Sequence, residues 1–319
     1  MVLIVVTMVF IVMRLLPGDP VRVMLGPDAP DETIEALRHN LGLDQPILTQ
    51  FFFYLRELVS GNWGRSLIQG RSVIQEITYR FPLTLELTLL SMGIGTLTGV
   101  FVGTIAATNQ GKALDHLIRL GSFAGYSMPI FWVGVLFQLV FGLSLGLLPI
   151  SGAVDYYAEP TRVTGLLILD SLLTLNGKAF LNTVSHMIMP SMVLGIYIMV
   201  PVARIMRGEM IKVLDEDYIL TARAKGLPER VVMYKHAFRN AVLPVITVAG
   251  LHFSGLLGGA VLTETVFSLP GMGRLLASSV MLRDFPMVQG CVLFFALLVG
   301  AANTLVDMTY RFVDPRIKY

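Results

Sequence analysis

Residues 83–108 read LTLELTLLSMGIGTLTGVFVGTIAAT, twenty-six positions with a single charge, Glu86. A helix needs about 20 apolar residues to cross a bilayer core of roughly 30 Å, and its backbone must satisfy its own N–H and C=O groups there. This run meets that length. Five more stretches join it as candidate spans: Met1 to Leu16, Leu117 to Leu147, His186 to Met206, Ala241 to Phe267 and Met287 to Tyr310. Of the 319 residues, 54% are hydrophobic and 14% charged, and the mean hydropathy is +0.70. A soluble domain carries about 25% charged residues. So apolar a chain cannot cover a water-facing surface, and lipid is its natural solvent. The expectation is an all-α membrane protein of six transmembrane helices. A net charge of +2 is too small to suggest nucleic acid.

The first candidate span is short and lacks the basic residues that usually precede a first span; it reads as a short start or as lacking an N-terminal turn. No small-residue cleavage site follows it, which argues against a removed signal peptide. Pro129 lies inside the long third candidate and predicts a kink or tilt. Residues 17–82 form a polar stretch with helix signals, such as Asp31 and Glu32 directly after Pro30, and are expected to be an external helical subdomain. The apolar run Val163 to Leu175 is too short to span and reads as a lateral or re-entrant helix. Basic residues set the orientation. Arg207, Lys212, Arg223, Lys225, Arg230, Lys235 and Arg239 occupy one loop, Lys112 and Arg119 another, and Arg311, Arg316 and Lys318 the tail. With six spans these regions share one side, the cytoplasm, together with both termini. The expected segmentation is a first span at 1–16, the external subdomain at 17–82, a five-helix core at 83–310 with a cytoplasmic loop at 207–240, and a tail at 311–319.

The loop 207–240 is the most informative segment. Leu214 to Lys225 reads as a helix stopped by Gly226, and Pro228 suits the first turn of a second, short helix from Glu229 to Phe238. Two short helices with a fixed elbow, apolar and cationic together, form a projection able to enter a groove on another protein. A basic loop that only enforces topology is the plainer alternative.

Ala222-x-Ala224-x-Gly226, followed by Leu243-Pro244, resembles the EAA loop of the permease subunits of binding-protein-dependent ABC importers. The run Thr221 to Leu227 resembles the dipeptide, oligopeptide and nickel branch, and Thr221 stands where the loop's name implies Glu. Further likenesses are Arg14 to Pro20, Pro82-x-Thr84-Leu85-Glu86-Leu87, Ser127 to Trp132, Glu264 to Gly273, and Asp307-x-x-Tyr310-x-x-x-Asp314-Pro315-Arg316. They cover essentially the whole chain, in order, and are most similar to the B-type subunit. The resemblance implies a type I importer permease in the cell membrane that catalyses no chemistry itself and moves di- or oligopeptides by alternating access. It implies a C-type permease partner, two ABC ATPase subunits that bind ATP and Mg, and an extracytoplasmic substrate-binding protein. It assigns ATPase coupling to Thr221, Ala222, Ala224, Lys225, Gly226, Leu227, Pro228, Glu229 and Arg230. The same branch carries nickel complexes and oligosaccharides, which stay open as alternative cargoes. The chain has no Gly-x-x-x-x-Gly-Lys-Ser/Thr segment of its own.

Acids in apolar spans are costly and face protein or water. Glu86, Glu264 and the i, i+4 pair Asn303 and Asp307 are candidate pathway or gate residues; helix capping and bonds across the bundle are the structural alternative. An ion-coupled secondary transporter would use the same acids, yet no inverted repeat is evident. Glycines at four-residue spacing (Gly95, Gly99, Gly103; Gly121, Gly125; Gly255, Gly259) predict close helix packing within the subunit. In the fifth span, which also holds Gly250 and Gly258, they point instead to a pathway or interface. His252 and Ser254 lie on different faces of one span, which argues against an intramembrane serine protease. Cys291, the lone cysteine, and the 17 methionines read as packing rather than metal ligands.

Overall fold

A computed structural model of the chain describes residues 2–15, 20–26, 29–40 and 42–313. Among the described residues the regular elements are helices, with one isolated β-bridge between Arg65 and Ser72. Contacts divide the chain into two compact units, 1–82 with 270–301 and 83–269 with 302–319.

The first unit contains α1 (Val2–Leu15), α2 (Pro20–Leu25), α3 (Asp31–Asn40), α4 (Ile47–Val59), the opening turns of α5 (Val73–Thr108), α13 (Met272–Met281) and most of α14 (Phe285–Val313). α5 starts ten residues before the expected span at Leu83, because Val73 and Ile77 have a core to bury. They pack with Met272, Leu275, Met287 and Cys291. Gly290 permits this, since a Cβ there would stand 2.2 Å from Val73 Cγ1. Cys291 is fully buried, as packing requires. Asp284 precedes α14 and accepts hydrogen bonds from the Ser66 hydroxyl and, at 3.0 Å, from the Leu67 amide. At the other end of the unit Phe10 packs against Phe51 and Tyr54, with ring centroids 5.1 and 5.6 Å apart.

The second unit holds the rest of α5, then α6 (Ala113–Ser127), α7 (Ile130–Phe137) continued by a wider turn to Ser144, α8 (Leu167–Leu173), α9 (Gly177–Leu214), α10 (Asp217–Ala224), α11 (Glu229–Val231) and α12 (Phe238–Val266). Gly95, Gly99 and Gly103 seat α5 on α9. A Cβ at each would lie 2.5, 2.8 and 2.5 Å from the carbonyl oxygens of Gly195, Met199 and Ala203. No side chain fits there, so this glycine stripe serves packing within the subunit. Leu87, Val193, Leu194, Ile198, Val202 and Met206 fill the core beside it. Hydroxyls on α5 turn inward to their own helix: Thr88 to the Thr84 carbonyl at 2.7 Å and Ser91 to that of Leu87 at 2.6 Å. Such bonds satisfy polar groups where water is absent. Gly103→Val is therefore expected to destabilise the protein by about 1–3 kcal/mol through forced separation of the two helices. A fall in the melting temperature of the detergent-solubilised protein checks this, and an unchanged value contradicts the close approach.

Among the described residues four helical stretches are long and apolar enough to cross a membrane: Val73–Thr108, Gly177–Leu214, Glu229–Gly258 and Phe285–Thr304. The third expected span is not one kinked helix. It breaks into α6 and the helix Ile130–Ser144, bent by 103°. Pro129 has no N–H and pushes Met128 out of the helical region, to φ −83° and ψ 138°. Counted as one, the bent pair makes a fifth span. α1 has 14 residues and is about 21 Å long, short of the core thickness. α9 outruns its expected bounds. Its 38 residues extend about 57 Å, beyond any bilayer core. The run Val163 to Leu175 yields only the seven-residue α8. The Arg14 to Pro20 motif lies partly, and Asp314 to Arg316 wholly, outside the described residues.

Candidate functional site

The elbow is built from α10 and the turn after it. α10 starts at Asp217, beyond a break at Asp215 and Glu216, and not at Leu214 as its sequence suggests. Ile219 and Ala222 are buried in the core of the second unit, while Leu220, Leu227 and Tyr234 remain exposed. Lys225 caps the helix and Gly226 takes φ +76°, a left-handed conformation suited to glycine. The Leu227 amide donates to the Ala222 carbonyl at 3.3 Å and the Gly226 amide to that of Arg223 at 2.9 Å, the paired bonds of a Schellman stop. Pro228 opens the next turn, and its carbonyl accepts from the amides of Val231 and Val232 at 2.8 and 3.2 Å. Arg223 reaches across the elbow to Glu229 with two bonds, 2.7 and 3.2 Å. Those donors hold the Glu229 carboxyl below its ordinary range. Thr221 donates to the Asp217 carbonyl at 2.9 Å, and Ala224, Lys225 and Arg230 are exposed. The expected short helix from Glu229 to Phe238 is not separate. It continues through a wide turn, Val232–Ala237, into α12, because Val232, Ala237 and Ala241 are all fully buried. One end of the loop is thus anchored in the core, and the other presents leucines among cations.

The acids within the helical core are held internally. Glu86, 6% exposed, accepts from the amides of Leu167 and Ile168, both at 2.8 Å, and so caps the start of α8. Glu264 is fully buried and accepts from the Thr84 hydroxyl at 2.5 Å. Asn303 is exposed on α14, and the side chain of Asp307 lies outside the described residues. Two acids that sequence reasoning passed over do comparable work. Asp170 accepts from the amides of Val163, Thr164 and Gly165 and from the Thr164 hydroxyl, at 3.1, 2.7, 2.9 and 2.7 Å. Asp115 takes two bonds from Arg207, 2.7 and 2.8 Å, and one from the Gly111 amide, 3.1 Å. The Arg207 pair spans 92 positions, so no local signal could have found it. Asp170 was discoverable: an acid inside an apolar run just after a Thr-Gly pair suggests a capping role.

A cavity of about 320 Å³ opens where α6 breaks from α7, lined by Tyr126, Ile130, Leu194, Tyr197, His252 and Gly255 among others. The Tyr197 hydroxyl donates to the Met128 carbonyl that the break leaves without a helical partner. The Tyr126 and Tyr197 rings lie 5.9 Å apart. Gly255 has no atom within 4 Å of its would-be Cβ, so it faces open space.

Residues 99–319 match the family model described as the binding-protein-dependent transport system inner membrane component, and residues 1–88 match its N-terminal companion. The chain belongs to this family. The permease is 44% identical to the di/tripeptide transport system permease protein DppB of Pseudomonas aeruginosa, over 97% of this chain and 93% of that one. It is 42% identical to a probable D,D-dipeptide transport system permease protein, DdpB, of Escherichia coli, covering 97% of this chain and 91% of that protein. A solved amino acid ABC transporter, crystallised with histidines, shares its fold at TM-score 0.53 and 15% identity, over 75% of this permease and 94% of that chain. It is thus a multi-pass inner-membrane component.

Proposed function

We propose that the permease is one of two membrane subunits that pass short peptides into the cell by alternating access, driven by ATP hydrolysed with Mg on separate ATPase subunits. The observation that carries this is the elbow at Gly226: a rigid, core-anchored knob whose exposed Leu220 and Leu227 stand among Lys225 and Arg230. Such a knob fits an apolar groove with an acidic rim on another protein, and closure of that partner would be transmitted through Ile219 and Ala222 into the core. Peptide cargo is supported by the names of the relatives, matched over nearly the whole chain. In this reading α1, the bent pair and the four long helices make six crossings, with both termini and the elbow in the cytoplasm. An external binding protein delivers cargo, and the partner permease completes the passage. The cavity beside Tyr126, Tyr197 and His252 belongs to that passage, since discontinuous helices commonly border transport sites.

Reconstitution of the permease with its partner permease, ATPases and binding protein tests the reading. ATP-driven, binding-protein-dependent uptake of dipeptides is expected; uptake driven by a pH gradient without ATP would overturn it. Gly255→Trp is expected to block the passage, lowering uptake at least about tenfold while the melting temperature stays near wild type, because its side chain enters open space. Undiminished uptake by this variant removes the cavity from the path.

A further inference from the structure

The first unit contains a groove of about 730 Å³ that the passage above does not use. That volume lies within the range of small-molecule sites, about 300–1,000 Å³. Its lining includes Arg14, Arg38, Glu57, Phe53, Trp63 and Gln289. Gln289 is 8% exposed, and its amide nitrogen is buried without an acceptor among the described residues. A buried donor left in this way is costly, and a ligand oxygen would relieve the cost.

The wall around Gln289 is prearranged. Arg14 lies 3.8 Å over the Phe10 ring and donates to Gln50 Oε1 at 2.9 Å. Gln50 in turn donates to the carbonyls of Leu43 and Gln45 at 3.1 and 2.8 Å. The groove therefore offers guanidinium groups, one carboxylate, a buried amide donor and exposed aromatic surface together. An anionic head group would meet Glu57, a cationic ligand would meet Arg14 and Arg38, and a purely apolar one would desolvate all three. A short peptide with free ends carries a carboxylate, an ammonium, an amide and a side chain, and matches every element.

We propose that this groove is a second peptide-binding site, in which Gln289 donates to a peptide oxygen, the arginines face the terminal carboxylate and Glu57 faces the terminal ammonium. The proposal rests on the peptide reading given above.

The test uses the complete importer in nanodiscs with its binding protein omitted, and measures binding of radiolabelled alanyl-phenylalanine by equilibrium dialysis. Gln289→Leu and Glu57→Gln are each expected to weaken binding about tenfold, as loss of one bond to a charged or buried group does. Glu57 is exposed, so its variant leaves the fold intact. All variants are measured in the Gly255→Trp background, which blocks the passage, so that the binding read is the groove's own. The N-acetylated peptide amide, which lacks both charges, should bind at least about tenfold more weakly. Binding that survives both groove substitutions overturns the proposal, as does binding lost in Gly255→Trp. Occupation of the groove by phosphatidylglycerol from the nanodisc, in place of peptide, also overturns it. If dialysis detects no peptide while the complete importer with binding protein still takes peptides up, the groove site falls and the transport reading stands. If the complete importer takes up another cargo and no peptide, the transport reading falls and takes the groove site with it.

Discussion

Gly226→Asp is expected to strip the ATPase subunits from the permease while leaving its helices in place. Gly226 holds φ +76°, and no atom lies within 4 Å of a Cβ built on it. The damage is therefore conformational and electrostatic, not steric. A left-handed conformation costs an ordinary residue about 1–2 kcal/mol, and Asp and Asn tolerate it best. Asparagine isolates the backbone cost, and Gly226→Asn is expected to keep most ATPase association. Aspartate adds a negative charge beside Lys225 and near Glu229, weakening the positive field of a surface proposed to meet an acidic rim. Gly226→Val adds β-branching and should unwind the Schellman stop at Ala222 and Arg223. Both Asp and Val variants should lose ATP-driven uptake by at least about tenfold, with Val also melting lower. Co-purification of the ATPase with each variant decides the matter. Retained association in all three would leave the elbow as a topological loop only.

How much of this was legible in the sequence follows from the range of the interactions involved. The elbow was readable because Gly226 and Pro228 act on their own backbones. The glycine stripe at 95, 99 and 103 was readable because residue size alone decides whether two helices can touch. The break at Met128 was half readable. Pro129 announced a disturbance, but a 103° bend needs something to hold it, and the Tyr197 hydroxyl on Met128 comes from another helix. The extension of α5 back to Val73 was hidden, since Val73 and Ile77 are buried by Met272, Leu275 and Gly290, some two hundred positions later. For the same reason nothing local joins residues 270–301 to residues 1–82. Among the acids, composition flagged Glu86 and Glu264 as expensive, while only the fold showed that amides of α8 and the Thr84 hydroxyl hold them.

Asp170→Ala is expected to be the most destabilising single substitution in the segment 163–173 before α9. One carboxylate closes its opening loop by accepting four bonds from Val163, Thr164 and Gly165. Val163 and Thr164 are exposed, so water replaces part of what they lose, whereas Gly165 is buried and its amide would be left bare. The expected loss is about 2–4 kcal/mol. Asp170→Asn keeps one acceptor oxygen and should fall between alanine and wild type. Burial pushes the Asp170 carboxyl up, but the Thr164 hydroxyl and the amides of residues 163–165 outweigh it, and the group is held below its ordinary value. A depressed carboxylate contributes stability that is complete above the unfolded value, about 3.9, and disappears as pH falls through the folded one. The contribution of this group to the wild-type melting temperature should thus be complete and independent of pH between about pH 5 and pH 8, roughly one unit or more above that value. The deficit of Asp170→Asn against wild type should shrink only in stronger acid. Glu86 caps two amides a little further on, Leu167 and Ile168, so the two acids serve one segment and their substitutions should not add. Thermal unfolding of Asp170→Ala, Glu86→Gln and the double variant measures that coupling. Additive losses would mean that the loop and α8 are held independently. A double loss smaller than the sum would mark residues 163–168 as one unit clamped onto α5 from one side and α8 from the other.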